Sequence, residues 1–199
     1  MRMLCGLSVP TAGQGTVAGC DILTQSEQVK KHIGYMSQKF SLYGQLTVAE
    51  NIRLFGSIYG MTSKAIKTRT AELLDMLDFS SERNTPAGSL PLGWKQKLSF
   101  AVATVHRPEV VFLDEPTGGV DPVTRRKFWE MIYAAVATGT TVFVTTHYMD
   151  EAEYCNRVSI MVDGRIRALD PPAGLKTSYG AESMDQVFRT LAREATRTE

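Results

Sequence analysis

The sequence predicts an α/β fold in which a parallel sheet is interrupted by a helical insert, and three observations carry that expectation. Apolar, largely β-branched runs at residues 110–113, 141–145 and 158–162 are separated by a helical pattern at residues 125–137 and by a second helix after His147. Strand–helix–strand alternation of this kind favours parallel pairing. Residues 47–107 are patterned as helix, which places a helical insert between strands. Finally, the run at 110–113 delivers two adjacent carboxylates, Asp114 and Glu115. A short buried strand that ends this way points to a functional edge of a sheet.

The elements follow in chain order. Pro10-Thr-Ala-Gly13 reads as a turn into a short strand at residues 16–18. A second strand covers residues 33–37 and leads to Gln38. Thr47-Val-Ala-Glu50 fits a capping box, with Thr47 as N-cap and Glu50 reaching back. Ala71-Glu-Leu-Leu-Asp-Met-Leu repeats apolar residues at helical spacing, and Pro86 with Gly88 breaks the pattern before a helix at residues 94–103. Asp121 before Pro122 can open the next helix. Asp163-Gly164, between the apolar run at 158–162 and residues 165–169, is a hairpin signal. His32 and His106 have no motif around them and are expected at the surface.

The chemistry concentrates in Val-Val-Phe-Leu-Asp-Glu-Pro-Thr-Gly-Gly-Val-Asp, residues 110–121, and in Thr145-Thr146-His147. Neighbouring carboxylates repel, so a fold keeps them where one faces a cation and the other takes a proton from water. Magnesium with a phosphate chain meets that demand.

With Tyr-Met-Ser-Gln at residues 35–38 added, the order and spacing of these pieces resemble the nucleotide-binding subunit of an ATP-binding-cassette transporter, close to bacterial multidrug-type exporters, over nearly every residue. The resemblance implies a P-loop NTPase-like core formed by residues 1–46 and 108–199, with a helical subdomain at 47–107. It implies ATP and Mg2+ as cofactors. Asp114 would hold the metal, usually through water, and Glu115 would orient or deprotonate the attacking water. His147 would contact the γ-phosphate, Gly118 to Asp121 would form the loop that crosses a dimer interface, and Gln38 would touch both the metal and a transmembrane partner. The implied partners are transmembrane transporter subunits and a second nucleotide-binding subunit. The implied location is cytoplasmic, peripheral on the inner face of the cell membrane.

Two departures stand against that resemblance. The phosphate cradle Gly-x-x-x-x-Gly-Lys-Ser/Thr occurs nowhere in these residues, although it supplies much of triphosphate binding. Gly13-Gln-Gly15 is no substitute, since it lacks the lysine, the hydroxyl and a preceding apolar strand. Residues 1–7 resemble the helix that follows the phosphate loop, so the chain is expected to be N-terminally truncated and to start inside a helix. The second departure lies in the family's Leu-Ser-Gly-Gly-Gln segment, which here is Leu90-Pro91-Leu92-Gly93-Trp94. Pro91 replaces the serine, Leu92 replaces a glycine, and Gly93 keeps its place. The backbone N–H groups at the start of the Trp94 helix still attract an anion, and Lys95, Gln96 and Lys97 resemble the positions that follow the motif.

Composition narrows the partners. A length of 199 residues is enough for one domain, or one with a subdomain. The net charge of +1 comes from scattered lysines and arginines that form no basic stripe, so no nucleic acid is expected. Cys5, Cys20 and Cys155 form no Cys-x-x-Cys pair and read as reduced, packed thiols. No stretch approaches the roughly eighteen apolar residues of a membrane span. Phe40, Leu42, Tyr43 and Leu46 form either a docking patch for a transmembrane subunit or local core.

Overall fold

The computed structural model describes residues 1–196 and divides into two compact units, Met1–Thr145 and Thr146–Glu199.

In the first unit the opening residues are not the expected helix. They form a short hydrogen-bonded turn, with Cys5 N–H donating to the Met1 carbonyl and Leu7 N–H to that of Arg2. Gly6 at φ +67° ends it, a backbone geometry that no right-handed helix continues. Strand β1 (Thr16–Val17) then pairs antiparallel with β2 (Cys20–Asp21) through Ala18-Gly19, both at positive φ. That is the two-residue hairpin geometry matched to strand twist. After α1 (Ser26–His32), β3 (Ile33–Met36) enters the main sheet beside β4 (Val110–Asp114), which in turn pairs with β5 (Thr141–Thr145). Both pairings are parallel, and the register sets Asp114 opposite Thr145. The central position of β4 explains its unbroken apolar run, because Val111, Phe112 and Leu113 are all buried.

The segment between β3 and β4 is helical: α2 (Val48–Ile58), α3 (Ser63–Met76), a 3-10 turn at Ala87–Ser89, and α4 (Leu92–Ala103). The capping box at α2 forms in full. Glu50 N–H donates to Thr47 Oγ1, and Thr47 N–H donates to the Glu50 carboxylate at 2.8 Å. Val48, Ile52, Leu73, Leu74, Phe79, Leu98 and Val105 belong to one apolar cluster that binds these helices together. Phe40 and Leu42 pack against that cluster, whereas Tyr43 is exposed.

The carboxyl end of α4 is tightly held. Arg69 donates from Nε to the Val105 carbonyl and from Nη2 to that of Thr104, while its Nη1 pairs with Glu72 at 3.0 Å. A Cβ on Gly34 of β3 would lie 2.0 Å from the Ala103 carbonyl oxygen, so only glycine permits this crossing. His106 corrects the surface expectation: its ring stacks on Tyr59 at 3.5 Å, and its Nε2 lies 3.1 Å from the Ile33 carbonyl. Both contacts come from residues distant in sequence, so no local pattern announces them. Burial pushes the imidazole down to about 4. His32 is exposed as expected and faces Glu109 at 3.1 Å.

Helix α5 (Pro122–Ala137) closes the first unit by burying Phe128, Trp129 and Ile132.

The second unit contains α6 (Met149–Ala152), a hairpin of β6 (Val158–Val162) and β7 (Arg165–Asp170), α7 (Pro172–Ser178) and α8 (Met184–Thr196). Asp163 and Gly164 are both at positive φ, as the hairpin signal requires. Ala152, Ile160, Leu175, Met184, Val187 and Leu191 form the core of this unit. Among the described residues no helix is long and apolar enough to cross a membrane.

Candidate nucleotide site

The carboxyl end of β4 carries the two acids, and the neighbouring strands fix them. Asp114 continues the strand and accepts a hydrogen bond at Oδ1 from Thr145 Oγ1 at 2.6 Å. Tyr35 on β3 lies near the same carboxylate; burial, then the Asp114 charge, raises the phenol above its ordinary range. At Glu115 the backbone turns out of the strand with φ +46°, a conformation that costs a non-glycine residue free energy. Thr145 offsets that cost, because its carbonyl and its Oγ1 both accept from Glu115 N–H, at 3.1 and 3.2 Å. One threonine thus holds both acidic residues. The Glu115 side chain meets Gln38, whose Nε2 donates to Oε2 at 2.7 Å. The chain therefore brings residues 77 positions apart into one polar cluster.

The donor set suits magnesium held in part by its nucleotide. Among the described residues no group of three His, Cys, Asp or Glu could cage a metal. A cation here would take one carboxylate from the protein and the rest of its oxygens from phosphate and water, which is how Mg2+ ordinarily binds.

Beyond Glu115 the chain tightens through Gly118 N–H to the Glu115 carbonyl and reaches Asp121. Asp121 caps α5: Oδ1 accepts from Val123 N–H and Thr124 N–H at 2.9 and 3.0 Å, and Oδ2 accepts from Thr124 Oγ1 at 2.6 Å. Those bonds, led by the Thr124 hydroxyl, hold its carboxyl below the usual range. The start of α4 packs beside this cap. A Cβ on Gly93 would sit 2.6 Å from Thr124 Cγ2, and Gln96 Nε2 donates to the Gly118 carbonyl at 3.0 Å. Gly93 and Asp121, expected separately in the sequence, are thus linked through Thr124. Trp94 is placed differently from Gly93, with its indole stacked on Phe79 at 4.8 Å against the helical core.

His147 belongs to the second unit, in the segment between β5 and α6, with its ring 4.1 Å from that of Tyr148. Thr145 and Tyr35 lie within the sequence motifs, but the sequence assigns no role to them or to Thr124, which packs against Gly93 and bonds Asp121. The available signal was Thr145 at the end of an apolar strand, and it becomes meaningful only once register sets it opposite Asp114.

A family model described as ABC transporter matches residues 1–118, more than half of the chain. The chain belongs to the ABC transporter family. Over 198 residues, 97% of this chain and 34% of the relative, it is 43% identical to a probable multidrug ABC transporter ATP-binding protein of Escherichia coli. A daunorubicin resistance ATP-binding protein of Streptomyces coeruleorubidus is 35% identical over 96% of the chain and 60% of its own length. A Nod factor export ATP-binding protein of a Rhizobium species is 37% identical over 94% of the chain and 62% of its own length. The chain therefore spans about a third of the first of these ABC relatives and three fifths of the others. A solved ATP-binding subunit of an ABC transporter superposes with a TM-score of 0.84 at 25% identity, covering 96% of this chain and 80% of that one. The α/β core and the parallel sheet are those of an ABC ATP-binding domain.

Proposed function

We propose that this ABC domain is the ATP-binding and ATP-hydrolysing part of a membrane exporter, and the observation that carries the reading is the Gln38–Glu115 bond beside Asp114 at the end of β4. In this reading Asp114 holds Mg2+, usually through water, and Gln38 reaches the metal and a transmembrane subunit. Glu115 orients or deprotonates the attacking water, and His147 contacts the γ-phosphate. The cation, when bound, neutralises charge developing on the phosphates. Gly93, Trp94 and Asp121 serve nucleotide across a pair of ATP-binding subunits, while residues 47–107 act as a helical subdomain within a core formed by 1–46 and 108–199. The domain works at the inner face of the cell membrane, through transmembrane partners.

These 199 residues by themselves do not turn over ATP in this reading, because they contain acid–base groups and no Gly-x-x-x-x-Gly-Lys-Ser/Thr cradle. Positioning dominates phosphoryl transfer, so acids without a cradle achieve little. Titration of ATP with Mg2+ tests this directly. Binding is expected only when the residues are joined to a phosphate loop; equal binding without one overturns it.

A second reading makes the domain a non-catalytic module that offers the start of α4 to a complete partner. It is favoured by the lack of any side-chain cap at Pro91, which leaves backbone donors at that helix start. ATPase activity of the assembly separates the two. With these residues joined to a phosphate loop, Glu115→Gln abolishes turnover under the first reading and leaves it unchanged under the second.

A further inference from the structure

Glu151 is wholly buried, and no role assigned above uses it. A carboxylate taken out of water is costly unless charge-assisted hydrogen bonds replace its hydration. Here Thr146 Oγ1 donates to Glu151 Oε2 at 2.5 Å. The same Thr146 oxygen accepts from Tyr148 N–H at 3.0 Å. Thr146 and Tyr148 are the two chain neighbours of His147. One buried carboxylate therefore orders the hydroxyl that holds the backbone on both sides of the histidine. Glu151 is itself anchored in the second unit: α6 carries it beside Ala152, a core residue, and its carbonyl accepts from Cys155 Sγ at 3.8 Å. Burial, then the charge of Glu151, pushes the Cys155 thiol up to about 11, so this sulfur stays protonated and able to donate.

We propose that Glu151 is a positioning residue which, through the Thr146 hydroxyl, fixes the direction of the His147 imidazole. The proposal rests on the reading of His147 as a γ-phosphate contact. An apolar residue at position 151 would fill the space and avoid the desolvation cost, but it would leave the Thr146 hydroxyl without its acceptor and free to rotate away from Tyr148. The hydroxyl is the transmitting group, so the informative substitutions are at Thr146.

Thr146→Val keeps the shape and removes both hydrogen-bonding functions; Thr146→Ser restores them. In the transporter assembly, with these residues joined to a phosphate loop, kcat for ATP is expected to fall roughly ten- to a hundredfold in Thr146→Val and Glu151→Leu, with KM within about twofold and near-normal turnover in Thr146→Ser. Thr146→Val added to His147→Ala is expected to cost nothing further. Hydrogen exchange at the Tyr148 amide reads the clamp without turnover, and it is expected to accelerate at least about tenfold in Thr146→Val but not in Thr146→Ser. Unchanged exchange, or wild-type kcat in Thr146→Val while His147→Ala is inactive, overturns the proposal and leaves the reading of His147 intact. Wild-type kcat in His147→Ala overturns that reading, and the proposal with it.

Discussion

The two ends of α4 are built in opposite ways. At the carboxyl end Arg69 satisfies the Thr104 and Val105 carbonyls, Gly34 lets β3 approach Ala103 closely, and His106 bonds to the Ile33 carbonyl while stacking on Tyr59. At the amino end Pro91 provides no side-chain cap, and Leu92 is 49% exposed. Like α4, the short α1 starts without a side-chain cap, whereas Thr47, Thr62 and Asp121 each accept backbone hydrogen bonds at the beginning of α2, α3 and α5. A helix fixed so firmly at one end can hold its uncapped end in place without caps of its own. A tightly bonded end and an uncapped end are thereby combined in a single element of this ABC domain.

The contrast makes the two ends respond differently to mutation. The largest expected effect is at the crossing with β3, where Gly34→Ala would place a methyl group against a backbone oxygen that cannot rotate away. A loss of about 3 kcal/mol in denaturant unfolding is expected, and a loss below about 1 kcal/mol would mean the crossing is loose. Next, Arg69→Met should cost about 2 kcal/mol, because two helix-end carbonyls lose their donor. The same measurement giving wild-type stability would remove Arg69 from the anchor.

His106 gives the anchored end a pH signature. Its folded-state value near 4 lies below the usual 6.5, so the unfolded chain binds more protons between those values and stability rises with pH there. The stabilisation is complete above about pH 6.5 and is lost as pH falls toward 4. The ring keeps some exposure, which reduces the difference to on the order of 1–2 kcal/mol. Thermal unfolding of His106→Phe should show a flatter dependence across that window than the wild type; parallel curves would contradict the burial argument. At the open end the expected effect is smallest. Pro91→Ser should raise stability by about 0.5 kcal/mol by adding a cap, and a loss larger than about 1 kcal/mol would show that Pro91 itself anchors the helix start.

Much of the architecture was legible before any coordinates. The run at 110–113, the capping box at Thr47, the Asp163-Gly164 hairpin and the cap at Asp121 each carry a local signal, because strand burial, helix starts and two-residue turns are decided within a few residues. The early residues and His106 were misread for the same physical reason, in reverse. A turn ended by Gly6 competes closely with a helix when only a few residues are involved, and the burial of His106 depends on Tyr59 and Ile33, far away in sequence.

The candidate site divides along the same line. Asp114 and Glu115 could be named as candidates from two carboxylates at the end of an apolar run, and Gln38 and His147 from the resemblance to ABC subunits. The roles of Thr145 and Glu151 could not. Thr145 acts through its register opposite Asp114, and Glu151 through complete burial beside the Thr146 hydroxyl. The sequence by itself determined the fold class, the capped starts of α2 and α5 and the acids at the strand end, because those follow from periodicity and local hydrogen bonding. Only the tertiary structure decided which side chains hold those acids, how the two ends of α4 differ and where a carboxylate could be buried. Those outcomes depend on pairs of groups that meet across long stretches of chain, and local pattern does not encode such meetings.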